Sequence, residues 1–137
     1  MQVRLTGGEP TVRRDLVQLA TELGALPGLH TLAITSNGLV LERSLQALHG
    51  AGLNAVNISL DTLRAETFEK LTRRKGLPNV LGAIERALHV GVPSVKVNVV
   101  VMRGINHDEV ADFVELTRSK VRLVCTVAPR PSPPSPH

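Results

Sequence analysis

The residues best suited to hold a ligand open the chain: Arg4, followed by Thr6-Gly7-Gly8-Glu9-Pro10. Two adjacent glycines let a backbone approach a ligand closely. A carboxylate at Glu9, in a turn fixed by Pro10, can orient an ammonium group. The same residues could equally make a tight connection from strand to helix, and both readings stand at this point. The run is not a dinucleotide fingerprint, which needs three glycines at set spacing, nor a P-loop, which needs Lys followed by Ser or Thr. Three further polar or glycine-bearing runs follow: Thr35-Ser36-Asn37-Gly38, Ser59-Leu60-Asp61 and Arg103-Gly104-Ile105-Asn106.

Around these runs the chain alternates short β-branched segments with amphipathic ones. Val3 to Thr6, Thr31 to Thr35, Ala55 to Leu60, Val95 to Val101 and Val121 to Val127 read as strands. Leu16, Leu19, Ala20 and Leu23 carry the i, i+3, i+4, i+7 stripe of a helix that Gly24 can end. Further helices are expected from Glu42 to Gly50 or Gly52, from Arg64 to Arg73, and from Leu77 to Gly91. For the next helix the spacing predicts a relative of the capping box. Asn106 would accept from first-turn amides, Glu109 would reach back, and Val110, Phe113, Val114 and Thr117 would be buried.

Strand and helix in strict alternation imply parallel strands, in an open doubly wound sheet or a barrel. The strands decide between them. Central strands of a doubly wound sheet are apolar on both faces. Here Val3 and Leu5 alternate with Arg4 and Thr6, Val56 and Ile58 with Asn57 and Ser59, and Val95, Val97 and Val99 with Lys96 and Asn98. Helices on the apolar face leave the polar face lining an interior, which makes a full or partial barrel the expected architecture. The four polar runs then fall at the C-terminal ends of the strands, where such barrels place their chemistry. Arg4 and Lys96 are costly to bury there unless an anion meets them, and together they could hold a phosphorylated substrate; internal pairing with Glu9 or Asp61 is the alternative. Thr35, Asn57, Ser59 and Asn98 add neutral donors and acceptors.

Composition narrows the partners. At 137 residues, 42% hydrophobic and 20% charged, the chain can bury the core of one soluble domain. Two Phe and no Tyr or Trp leave little for stacking bases, so no nucleic-acid partner is expected. The net charge of +4 is scattered, and its densest run, Arg73-Arg74-Lys75, reads as a solvated face. No apolar stretch is long enough to cross a membrane. The histidines lack short-spaced ligand partners, so no metal ligand and no catalytic residue is assigned, and the single Cys125 is expected as a buried small hydrophobe. The half-proline segment 128–137 is expected as a disordered coil, although an SH3-type ligand is conceivable.

Taken in order, VRLTGGEPTVRRDL, TSNG, NISLDTL and KVNVVVMRGINHDE resemble the GTP 3′,8-cyclases, radical S-adenosylmethionine (SAM) lyases that open molybdenum-cofactor (molybdopterin) biosynthesis. The resemblance covers Gln2 to Lys120. It implies a partial TIM-like (βα)6-type radical SAM barrel over residues 1–120, with an N-terminal strand and a C-terminal region missing, and a divergent strand at 121–127. It also implies that a [4Fe-4S] cluster binds SAM and cleaves it to a radical that attacks the ribose of GTP. By motif, Gly8 and Ser59 resemble SAM-binding positions, with Gly7 and Glu9 shaping the turn around the amino-acid end. Arg4, Thr35 and Lys96 resemble GTP-binding positions.

Members carry CxxxCxxC on the strand before the one that begins here at Gln2, and further cysteines near the C-terminus for a second cluster. Neither set is present in this sequence. The expectation is therefore a truncated, poorly soluble product that is inactive alone. Alternatives are a non-catalytic isoform acting as an interaction or regulatory fragment, or another radical SAM enzyme. The resemblance further implies GTP, a full-length cyclase in a homodimer or the next enzyme of the pathway as partners. It places the protein in the mitochondrial matrix of a eukaryote, or otherwise in the cytoplasm.

Overall fold

The computed structural model describes residues 1–129. Five strands, β1 (Gln2–Leu5), β2 (Thr31–Ser36), β3 (Ala55–Ser59), β4 (Ser94–Val101) and β5 (Val121–Val127), alternate with α1 (Leu16–Gly24), α2 (Leu45–Gly50), α3 (Ala65–Thr72), α4 (Leu77–Val90) and α5 (Val110–Leu116). Two helices lie between β3 and β4; every other connection has one. The segment 130–137, most of the proline-rich tail, lies outside the described residues.

All strand pairs are parallel, and spatial order equals chain order, β1-β2-β3-β4-β5. Right-handed crossovers that always step the same way put every helix on one face. A doubly wound sheet would reverse its order at a switch point. This sheet does not, so the barrel pattern expected from the strand alternation is the one observed, as an open arc of five parallel strands.

The apolar parity of the strands builds the core. Leu32, Ile34, Val56, Ile58, Val95 and Val97 meet Leu16 and Ala20 of α1, Leu45 and Leu48 of α2, and Val80, Ile84 and Ala87 of α4. Each of the Leu, Ile and Val side chains among these stabilises the fold by about 1.5–3 kcal/mol when removed from water. The opposite parity carries Arg4, Thr35, Asn57, Lys96 and Asn98 on the helix-free face.

Three expectations are corrected at the β5 side. Of the residues expected on the buried side of α5, only Phe113 is buried; Val110, Val114 and Thr117 are exposed. Cys125 is exposed too, not a core residue. Both follow from position, since β5 is an edge strand that the core covers only at its start, burying Val121 and partly covering Leu123. Asn106 and Glu109 make no capping box. They are buried side chains that bond across the strand ends, as described below.

Candidate functional site

The C-terminal ends of the strands gather the polar runs. After β1, Gly7 and Gly8 both take left-handed backbone angles, with φ of 83° and 54°. A Cβ on either would meet nothing within 4 Å, so conformation and not crowding demands glycine there, and the space above the backbone is open to a ligand. The Glu9 carboxylate accepts from the Thr11 hydroxyl, from the amides of Thr11 (3.2 Å) and Asn37 (2.8 Å), and from the Ser36 hydroxyl (2.9 Å). A carboxylate offers about four acceptor sites. Glu9 is thus occupied inside the protein and joins the turn after β1 to the turn after β2. Gly38 completes that second turn at φ 78°, with its amide on Ser36 Oγ at 2.9 Å.

On the helix-free face the register forms a row across four strands: Thr35 pairs with Asn57, Asn57 with Lys96, and Lys96 with Arg122. Arg4 joins it from β1, donating from Nη1 to Thr35 Oγ1 at 3.3 Å. The three ion pairs among the described residues, Arg13–Asp15, Arg64–Asp108 and Arg118–Glu115, lie elsewhere. The acids that could have neutralised the row are turned away: Glu9 to the Ser36 turn, and Asp61, whose Oδ1 accepts from the Val100 amide at 2.9 Å. Arg4, Lys96 and Arg122 therefore present cations with no acidic partner among the described residues. Ser59 stands one step further along β3, exposed and paired in register with Asn98.

Arg122 was missed by the sequence reading. The signal was available in the alternation of Val121, Arg122 and Leu123, which gives Arg122 the parity of Lys96. Missed as well was a buried clamp beneath the site. Asn106 accepts from the Met102 amide (2.6 Å) and donates to the carbonyls of Asp61 (2.6 Å) and Val100 (2.9 Å). Glu109, fully buried, accepts from the Thr62 hydroxyl (2.7 Å to Oε2) and the Leu63 amide (2.8 Å). Together they lock the turn after β3 to the turn after β4. On the surface above, Arg64 bonds Asp108 at 2.8 Å, and that hydrogen bond holds the Asp108 carboxyl below the usual range.

The matching family model is that of the radical SAM superfamily, over residues 2–117. A parallel arc with a glycine turn after its first strand fits that assignment, and the chain belongs to this superfamily. Among curated proteins it is 54% identical over 119 residues to the mitochondrial GTP 3′,8-cyclase of Arabidopsis thaliana and to molybdenum cofactor biosynthesis protein 1 of Drosophila melanogaster. It is 44% identical over 119 residues to the GTP 3′,8-cyclase of Listeria welshimeri. Each match covers 87% of this chain but only 30%, 21% and 36% of the respective relative.

Membership implies SAM and an iron-sulfur cluster for the family in general. The open glycine turn suits the former. The residues present do not fit the latter: Cys125 is a free cysteine, and no group of three His, Cys, Asp or Glu among the described residues could hold a metal. Among the described residues no helix is long and apolar enough to cross a membrane.

Proposed function

We propose that this chain is the nucleotide-facing part of a GTP 3′,8-cyclase of molybdenum-cofactor biosynthesis. It binds the triphosphate of GTP along Arg4, Thr35 and Lys96, and SAM at Gly7, Gly8 and Ser59, with Glu9 shaping the turn. The observation that carries this reading is the row of unneutralised cations on an otherwise neutral polar face, beside the open glycine turn. Arg4 is exposed and Lys96 half-buried, so both are open to a ligand, and a triphosphate can meet them with several charge-assisted hydrogen bonds. The names of the relatives support the same reaction.

SAM, when bound with a reduced cluster, supplies the radical. This chain's own residues bind and orient; they hold no cluster, so alone it forms no product. That same lack of cluster ligands favours a second reading, a non-catalytic fragment that associates with a full-length cyclase or the next enzyme of the pathway. The mitochondrial name of the Arabidopsis relative supports the mitochondrial matrix as the location if the source is a eukaryote, with the cytoplasm the location if it is a bacterium.

Equilibrium dialysis with labelled GTP tests the reading. Lys96→Ala and Arg4→Ala are each expected to weaken binding about tenfold, with weaker salt dependence than the unaltered chain. Affinity unchanged in both variants, or no GTP binding by the unaltered chain, would overturn it.

A further inference from the structure

Exposed large apolar side chains gather at one edge of the sheet. Val110 and Val114 lie one turn apart on α5, Val124 and Val127 on β5, and Val100, in register with Thr126, beside them on β4. β5 is seven residues long and outermost in the sheet, and its sequence VRLVCTV carries one charge and neither Pro nor Gly. Edge strands are ordinarily blunted by charge, proline or shortness. β1, the other edge, is only four residues long. Exposed apolar surface gathered in this way marks an interaction site.

The unpaired backbone groups of β5 can be named. The Ala128 amide donates to the Val101 carbonyl at 2.8 Å, so Ala128 turns its backbone to β4. Alternate residues of a parallel ladder do the same, which leaves the N–H and C=O of Val121, Leu123, Cys125 and Val127 directed outward.

We propose that β5 is a self-pairing edge, and that its occupant is β5 of a second copy, antiparallel and centred on Val124. That register pairs Val121 with Val127, Leu123 with Cys125, Arg122 with Thr126 and Val124 with its own copy, so the whole of each strand is matched. Outward-directed groups meet outward-directed groups. Val121 is buried and Leu123 half-buried, while Cys125 and Val127 are exposed, Val127 at 76%. The pairing therefore sets the covered start of one strand beside the uncovered end of the other. Only four residues separate Leu116, the end of α5, from Val121, so the helix end of each copy comes to the bare end of its partner.

Charge selects β5 over β1 as the partner strand. Pairing β5 with β1 of a second copy would extend the polar face from Lys96 and Arg122 to Arg4, with no acid on that face among the described residues. It would also repeat without closing, whereas two β5 strands close on a two-fold axis. In the antiparallel pair Arg122 faces a threonine, and the two copies of Arg122 stand about 13 Å apart along the strands, beyond the screening length at physiological salt.

Analytical ultracentrifugation of the unaltered chain, Val124→Lys and Leu26→Lys tests this. Both substitutions replace an exposed apolar residue, at 44% and 42%, so the core stays intact. The unaltered chain should form a dimer and nothing larger. Val124→Lys sets two lysines directly opposite each other and should weaken self-association about tenfold, whereas Leu26→Lys, in the loop after α1, should leave it unchanged. The register is read from Val124→Cys in a Cys125→Ser background. Cα atoms of a directly opposed, non-hydrogen-bonded pair stand about 4.5 Å apart, within reach of a disulfide, so oxidation should join two chains. A chain that stays monomeric, assemblies that grow beyond two, a dimer indifferent to Val124→Lys, equal losses in both lysine variants, or no disulfide through position 124 would each overturn the proposal.

Discussion

Replacing Glu109 by Ala removes the acceptor of two donors at once, the Thr62 hydroxyl and the Leu63 amide, at a position with 0% exposure. Thr62 is itself 1% exposed, so water cannot substitute without entering the core. Each buried donor left unpaired costs about 1–3 kcal/mol, and the space vacated by the side chain adds a cavity term. The sum is about 3–5 kcal/mol, a large fraction of the ~5–15 kcal/mol typical of a folded domain. Glu109→Gln keeps one oxygen for the Leu63 amide and is expected to cost about half as much. Urea unfolding measures both, read as a change in midpoint with the slope unchanged. A cost below about 1 kcal/mol for Glu109→Ala would show that the turns after β3 and β4 are not held by this carboxyl, and the clamp would lose its physical basis.

Two other perturbations probe the strand ends. Gly38→Ala forces a Cβ to 3.0 Å from Val80 Cγ1 and 3.2 Å from Ile58 Cγ2, both fully buried, at φ 78°. The left-handed strain and the overpacking together are expected to cost about 2–4 kcal/mol in chemical denaturation, and a cost near zero would refute the packing argument. The Arg64–Asp108 bond lowers the folded pKa of Asp108, so its contribution is fully present above the unfolded value and disappears as pH falls through the folded one. Melting temperatures of the unaltered chain and Asp108→Asn should therefore differ slightly at neutral pH and draw together progressively as pH falls below about 4; a difference that persists undiminished in strong acid would be evidence against the pair.

The architecture was legible because two periodicities were clean. Alternation in β1, β3 and β4 separated a core face from a polar face, and the helical stripe of α4 ran unbroken from Leu77 to its stop at Gly91. The strand-end runs were legible because glycine and proline mark turns. What escaped were properties set by neighbours distant in sequence. Asn106 and Glu109 have capping-box spacing, yet their partners lie on the turn after β3 and at the end of β4, which no local pattern encodes. Val110, Val114 and Cys125 have core chemistry, but burial depends on whether another layer lies over them. Arg122 was readable in principle, through parity alone, once β5 was accepted as a strand of the same sheet.

The identity of spatial and chain order has a consequence for how the chain acquires its shape. Each new strand docks on the one made just before it, and no strand pairing joins residues more than about forty positions apart. The pairing of these five strands therefore needs no distant segment: each can join its neighbour as it leaves the ribosome. The site inherits the same vectorial logic: the glycine turn and its Glu9 anchor on Ser36 can form once β2 has emerged, the Arg4–Thr35 contact with them, and the cation row grows by one strand at a time.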